Sequence, residues 1–277
     1  MANDNAVADH YSHGRLLDAI LAGVTALGKT PDTVGVDDLA AVDEFHIGGR
    51  QATEDFIGQL GLSPKDHVLD VGCGIGGTAR YLASACGCRV SGLDLTPEYV
   101  ETGRVMCAWV GLADRVDLSQ GNALAMPFES ARFDTAIMLH VGMNIADKAR
   151  LFAEVNRVLR PGGTFGVYDI MRTRDDPLVY PVPWATISDT SALATPEDYR
   201  KALADSGFEV TEERGRREFA AEFFAALRKR IDAAGGPPPL GLHILLGEAA
   251  AIKIRNMVDN VATGRVAPVE MIARKPR

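Results

Sequence analysis

The sequence has 277 residues, of which 47% are hydrophobic and 24% charged, a composition typical of a globular protein long enough to bury a core. It contains 29 Lys and Arg against 37 Asp and Glu, and the net charge of −8 disfavours general binding to nucleic acid. Its four cysteines are too few for a disulfide scaffold, and their spacing matches no zinc motif.

The N-terminus carries no recognisable targeting signal. Residues 1–9 include two aspartates and no basic residue, whereas a signal peptide begins with a positively charged stretch. The chain also lacks a run of about 18 apolar residues, the length that a membrane-spanning helix needs. We therefore expect a cytoplasmic protein without stable membrane insertion.

The predicted elements begin with helices. Apolar residues at helical spacing predict a helix over residues 13–27, and shorter helices are expected at 37–42 and 53–60. The segment between them, residues 45–49, fits neither pattern. Residues 1–61 are therefore expected to form an N-terminal helical cap.

From residue 62 onward, apolar strands alternate with helices. Strands are predicted at residues 68–71, 89–93, 116–119, 133–138 and 164–170, with helices at 78–85, 97–110 and 148–159 between them. This alternation is typical of crossover units and of a mainly parallel sheet.

The last hundred residues add two strands and several helices. Residues 196–206, 218–231 and 240–261 are predicted helical, and residues 208–213 and 267–273 are predicted strands. The fold class is thus expected to be α/β, with a Rossmann-like, seven-stranded, mainly parallel sheet and helices on both faces. The core should occupy residues 62–277, with lid additions near 172–195 and 216–262. Within these, the proline-rich residues 177–183 and the helix break at 235–239 are expected to close over the substrate.

A glycine-rich turn follows the first predicted strand, in residues 70–77. Glycines adopt positive φ and let a ligand approach the backbone, and the next helix presents free N–H groups there. Asp94 ends the second strand, 20 residues after Gly74, where a carboxylate can accept both ribose hydroxyls of a nucleotide. Strand, turn, helix and distal acid together predict a nucleotide site.

The residues of this turn argue against a dinucleotide. Its glycines stand at positions 72, 74, 76 and 77, and Asp70 at the strand end would repel a pyrophosphate. A carboxylate there suits a ligand with an ammonium group. S-adenosylmethionine carries an ammonium, a sulfonium and a ribose.

The motifs resemble those of class I S-adenosylmethionine-dependent methyltransferases. Residues 68–76 resemble the first motif of that family, and residues 92–95 the second. Residues 121–123 are similar to its adenine motif, although Asn122 replaces the usual aspartate. The turn at 159–163 also matches.

A narrower resemblance rests on two further segments. Residues 45–49 and 143–148 are similar to those of sarcosine/dimethylglycine methyltransferases, a group that also includes ubiquinone/menaquinone, tocopherol and glycoside-tailoring enzymes. The resemblance implies S-adenosylmethionine as cofactor, with the methionine part near the glycine turn, the ribose on Asp94 and the adenine near Leu95. The implied cofactor-binding residues are Asp70, Gly72, Cys73, Gly74, Asp94, Leu95, Asn122, Ala123 and Leu139.

Two side chains are candidates for catalysis. His140 follows the fourth strand and Asp169 ends the fifth, at the sheet edge where ligands of this fold type bind. A histidine held by a carboxylate is a competent general base near neutral pH, and some glycoside-tailoring relatives use such a pair. Alternatively, His140 only packs or touches the sulfonium region. Whether His46 or His243 faces the pocket stays open.

The function predicted is methyl transfer from S-adenosylmethionine to a small-molecule amine, hydroxyl or activated carbon, by in-line displacement. The His–Asp pair favours oxygen or carbon acceptors, whereas the narrower resemblance favours amines. The alternative is a non-catalytic S-adenosylmethionine-binding sensor or partner subunit. No metal, nucleic acid or protein substrate is expected, and the sequence allows a homodimer.

Overall fold

The computed structural model describes Tyr11 and residues 14–277. The expectation about a targeting signal at residues 1–9 therefore lies outside the described residues. No helix in the described part of the chain combines the length and apolar character that crossing a bilayer requires.

Three helices precede the sheet: α1 (Leu16–Ala26), α2 (Val36–Asp43) and α3 (Gly49–Ile57). In α1 the apolar residues Leu16, Ile20 and Val24 recur every four positions, so they form one buried face. Helix α3 begins earlier than predicted because Gly48, at a φ of 99°, turns the chain into it.

Seven strands form one sheet in the order β3-β2-β1-β4-β5-β7-β6. Strands β1 to β5 pair in parallel, whereas β7 runs antiparallel to both of its neighbours. The predicted fold class, a mainly parallel sheet of this type, is confirmed. The strands are β1 (His67–Val71), β2 (Arg89–Asp94), β3 (Val116–Gln120), β4 (Phe133–Leu139), β5 (Leu159–Arg172), β6 (Glu209–Gly215) and β7 (Val266–Arg274).

Helices cover both faces of the sheet, and an apolar cluster fills the space on each side. Phe152 and Phe165 lie in one cluster, and Leu82 and Val90 lie in the other. The remaining helices are α4 (Gly77–Ala85), α5 (Pro97–Trp109), α6 (Lys148–Val158), α7 (Pro196–Asp205), α8 (Arg217–Ala234), α9 (His243–Leu246) and α10 (Ala250–Ala262).

Two further predicted elements differ from the structure. The helical stretch expected at 240–261 is broken at Gly247, whose φ of 66° lies in the left-handed region, so it forms α9 and α10 instead. Strand β5 begins earlier than predicted because the turn at 159–163 joins the sheet, with Leu159 opposite Phe133.

A buried ion pair fixes the N-terminal helices over the glycine-rich turn. Arg80 of α4 donates from Nε to Asp43 at the end of α2, at 3.3 Å, and both side chains are fully buried. Arg80 also donates to the carbonyl of Ile75 in the turn itself, at 2.7 Å. A Cβ on Gly77 would lie 2.4 Å from the carbonyl oxygen of Asp43. Residues 44–48, which follow α2, are thereby held beside the carboxyl ends of the strands.

Candidate active site

The glycine-rich turn after β1 is tightly folded. The N–H groups of Gly72 and Cys73 both donate to the carbonyl of Leu93, at 2.7 and 3.1 Å. Gly72 has a φ of 72°, and a Cβ there would lie 2.4 Å from Val141 of the segment after β4. Glycine is therefore required where these two segments meet.

Asp94, at the end of β2, holds the turn in place. One carboxylate oxygen accepts a hydrogen bond from the N–H of Gly74 and the other from the N–H of Thr96, each at 2.8 Å. Burial raises the pKa of this carboxyl. Each carboxylate oxygen has a second lone pair, so Asp94 can still accept hydrogen bonds from the two hydroxyls of a ribose.

Asp70, at the end of β1, is buried with an unsatisfied oxygen. Its Oδ2 has no hydrogen-bond partner among the described residues. Burial, together with the negative charges of Asp94 and Glu44, raises the pKa of Asp70 to about 7. A buried carboxylate without a partner is costly. This oxygen therefore fits a ligand that brings an ammonium group.

The residues expected to bind the cofactor all line one cavity of about 360 Å³. Asp70, Asp94, the glycine turn and Leu95 all line this cavity. Asn122 lines it as well, and its side-chain oxygen accepts a hydrogen bond from the N–H of Leu124 at 2.8 Å. The remaining expected residues that line it are Gly72, Cys73, Gly74, Ala123 and Leu139.

His140 lines the same cavity. Its φ of 54° lies in the left-handed region, and its N–H donates to the carbonyl of Tyr168 at 2.8 Å. The imidazole packs on the ring of Tyr168, with centroids 5.0 Å apart, and its Nε2 is buried without a hydrogen-bond partner among the described residues. Burial and the neighbouring His46 hold the pKa of His140 well below its usual range, so the ring is neutral at pH 7.

Asp169 does not meet His140, and the predicted pair is not formed. One oxygen of Asp169 accepts from the hydroxyl of Tyr199 at 2.7 Å, and the other accepts from the N–H of Ile170. Burial raises the pKa of Asp169 to about 6. Consecutive residues of a strand point to opposite faces, and the positive φ of His140 turns its ring to the face of Tyr168, away from Asp169.

A second polar cluster adjoins His140. Its His46, whose placement the sequence left open, lines the cavity, whereas sequence reasoning did not identify the other members of the cluster. His46 is buried, and its Nε2 lies 3.0 Å from Glu44 and 2.9 Å from the hydroxyl of Thr53. Arg50 forms an ion pair with the other oxygen of Glu44. The His46 ring lies edge-on to His140, at 5.8 Å between centroids. No local pattern marks Glu44, because its partners come from the loop and from α3.

The end of the cavity away from the glycine turn is apolar. Residues 172–195 contribute Pro183 and Trp184, and α8 contributes Phe223, Phe224 and Leu227. Helix α10 adds Ile254 and Met257. Both predicted lid additions thus flank the cavity, whereas His243 is not among its lining residues. No group of described residues offers three or more His, Cys, Asp or Glu side chains suited to a metal ion.

Comparison with known proteins agrees with this geometry. Residues 68–163 match a family model described as a methyltransferase domain. The methyltransferase GfsG of Streptomyces halstedii is 30% identical over 210 residues, covering 74% of this chain and 73% of that protein. The chain belongs to the class I S-adenosylmethionine-dependent methyltransferases. The enzyme acts on small molecules with S-adenosylmethionine as cofactor, as the motifs predict.

Other relatives of the methyltransferase match more partially. A sarcosine/dimethylglycine N-methyltransferase of Halorhodospira halochloris is 34% identical over 148 residues, 53% of each protein. The matched regions of three sterol methyltransferases span 30%, 35% and 42% of those proteins. A solved geranyl diphosphate C-methyltransferase of Streptomyces coelicolor A3(2) shares the fold, with a TM-score of 0.72 at 18% identity, over 99% of this chain and 98% of that one.

Proposed function

We propose that the methyltransferase methylates a hydroxyl group of its small-molecule acceptor and that His140 is the general base. The observation that carries this proposal is the neutral imidazole of His140 in the wall of the cavity, with its Nε2 unsatisfied among the described residues. An unsatisfied buried acceptor atom costs about 1–3 kcal/mol. A bound hydroxyl that donates to it would recover this free energy.

S-adenosylmethionine supplies an electrophilic methyl group on a sulfonium. Asp70 and Asp94 hold the donor end of the cavity, with oxygens suited to an ammonium and to ribose hydroxyls. The acceptor oxygen bonds to the methyl carbon as the carbon–sulfur bond breaks, and the hydroxyl proton passes to His140. When the hydroxyl oxygen bonds to the methyl carbon while it still carries its proton, the resulting protonated ether is a far stronger acid than an imidazolium. An imidazole of lowered pKa therefore still takes this proton.

Asp169 serves this reaction indirectly. Its carboxylate joins β5 to α7 through Tyr199, and a Cβ on Gly142 would lie 2.4 Å from it. The carboxylate therefore fixes the segment that follows His140. We assign Asp169 as a positioning residue rather than as the partner that orients the imidazole.

The two lid additions, residues 172–195 and 216–262, are assigned the control of access to the cavity. Both flank the apolar end of the cavity, where the acceptor would bind, and α8, which belongs to the second addition, buries little of its own surface. Movement of these segments would admit the acceptor and then exclude water from the transfer step.

Acceptor pairs that differ only in the reacting atom test the proposal. The wild-type enzyme is incubated with methyl-labelled donor and with pairs of acceptors, each phenol matched to an aniline and each alcohol matched to an amine. The labelled products are then identified. We expect the label on oxygen. Methyl transfer to amines alone would contradict the hydroxyl assignment. Donor binding without transfer to any acceptor class would favour the sensor alternative instead.

A further inference from the structure

The acceptor end of the cavity presents hydrocarbon surface. Phe223, Phe224 and Leu227 of α8 line it together with Leu245 and Met257. Trp184 donates its indole N–H to Ser191 within its own loop, at 2.9 Å, so its remaining ring surface is apolar. The burial of an apolar molecule at this end of the cavity is therefore favourable.

The cavity is lined by neither lysine nor arginine. None of the described lining residues is of these types, and residues 1–13 contain neither. The two lining histidines do not replace them, since His46 is paired with Glu44 and burial holds the pKa of His140 well below its usual range. The acidic side chains that line the cavity are already assigned: Asp43 pairs with Arg80, Asp70 and Asp94 stand at the donor end, and Asp147 caps α6. A phosphate, diphosphate or carboxylate on the acceptor would lose its hydration without gaining a counter-charge.

Helix α8 supplies an independent observation. Only Ala220 of its 18 residues is buried, although Phe223, Phe224 and Leu227 form an apolar stripe. These three side chains are half-buried and line the cavity. A surface helix normally covers such a stripe with other apolar groups. A molecule bound in the cavity would supply the apolar contacts that this stripe of α8 still needs.

We propose that the acceptor is an uncharged, largely apolar molecule that carries its hydroxyl at one end, such as an alkylphenol or a terpenoid alcohol. The proposal rests on the proposed function, since His140 receives the hydroxyl. The hydrocarbon body of the acceptor lies between α8 and α10, against Trp184. Phosphorylated and carboxylated acceptors are excluded by the missing counter-charge.

A matched acceptor series tests this class without requiring turnover. Calorimetry measures the binding of 4-propylphenol, 4-pentylphenol, 4-heptylphenol and 7-(4-hydroxyphenyl)heptanoate to the enzyme saturated with S-adenosylhomocysteine. Each methylene added to the alkylphenols should tighten binding by up to about fourfold. The terminal carboxylate should weaken binding at least about tenfold relative to 4-heptylphenol. Equal or tighter binding of the carboxylate, or no gain with chain length, would overturn the proposal.

Two arginine substitutions on α8 locate the site. Leu227→Arg places a cation in the cavity, whereas Ala226→Arg places it at the next, exposed position. Leu227→Arg should weaken 4-heptylphenol binding at least about tenfold and narrow its advantage over the carboxylate. Ala226→Arg should change neither value. If Leu227→Arg unfolds, Leu227→Ala should still weaken binding of the longest alkylphenol more than that of the shortest. Unchanged binding in the folded cavity variants would refute the location.

The outcome separates this inference from the proposed function. If 4-heptylphenol binds but only 4-heptylaniline is methylated, the hydroxyl assignment fails while the apolar class stands. If a hydroxyl is methylated only on charged acceptors, the apolar class fails while the hydroxyl assignment stands.

Discussion

His140 and Asp169 stand side by side at the carboxyl ends of the neighbouring strands β4 and β5, yet their side chains lie on opposite faces of the sheet. Leu139 pairs with Tyr168, so His140 and Asp169 are the next residues of the two strands. The His140 ring packs on Tyr168, whereas Asp169 accepts a hydrogen bond from Tyr199. The carboxylate therefore stabilises the junction of β5 and α7 and does not orient the imidazole that we propose as the base.

This arrangement predicts which residues are coupled. Asp169→Ala and Tyr199→Phe each remove one side of a buried hydrogen bond and should each lower the free energy of unfolding by about 1–3 kcal/mol. The double variant should lose less than the sum, because the two share one interaction. Chemical denaturation of the four proteins measures this cycle. Strict additivity would show that the hydrogen bond contributes nothing.

Asp94→Ala should weaken donor binding at least about tenfold, since hydrogen bonds to a charged acceptor contribute about 1.5–3 kcal/mol each. The substitution also releases the N–H of Gly74 that fixes the glycine turn. Calorimetric titration with S-adenosylmethionine measures the effect. Asp117→Ala, which removes an exposed carboxylate from β3, is the matched control and should bind normally. Normal affinity in both variants would remove Asp94 from the donor site.

Donor binding should weaken as the pH falls below about 7. In the free protein the pKa of Asp70 is raised to about 7, and a bound ammonium would lower it, so binding below that pH must displace a proton. Affinity should be constant above pH 7.5 and fall by up to about tenfold per pH unit below 7. Titrations from pH 5.5 to 8 test this. Asp70→Asn should bind more weakly, and its affinity should depend less on pH. An identical pH dependence in both proteins would exclude Asp70 as its source.

Arg80→Met should lower the free energy of unfolding by about 3–5 kcal/mol, because it leaves the carboxylate of Asp43 buried without its cation. Replacing both partners by apolar residues should recover part of this loss. Lys201→Met breaks an exposed ion pair with Asp205 and should leave stability almost unchanged. Urea unfolding compares the three variants. Similar losses for Arg80→Met and Lys201→Met would contradict the role assigned to the buried pair.

The sequence predicted what depends on neighbours along the chain. The strand, glycine turn and helix around Gly74 are contiguous, and the 20-residue spacing to Asp94 reflects one crossover unit, so both could be placed. The orientation of His140 could not, because neither its positive φ nor its contact with the ring of Tyr168 is marked by the residues next to it in the chain. Nothing local distinguishes Gly247, which breaks a predicted helix, from a glycine that a helix tolerates.

The Glu44–His46 cluster was beyond sequence reasoning for a related reason. Its members come from the loop after α2 and from Thr53 in α3, and the ion pair of Asp43 with Arg80 fixes the start of that loop. Likewise, the apolar wall of the cavity joins residues of α8 to those of α10, which are separated by the helix break at 235–239. Such groupings follow from tertiary packing.

The most direct test of the account is the single-turnover rate of methyl transfer to a hydroxyl acceptor in His140→Gln. Removing a general base typically lowers the rate by about 10²–10⁴-fold. We predict a loss of that size at pH 8 with donor affinity unchanged. The control is His67→Gln, at the start of β1 and away from the carboxyl ends of the strands, and it should keep the wild-type rate. A near-normal rate in His140→Gln would contradict the assignment of His140 as the base.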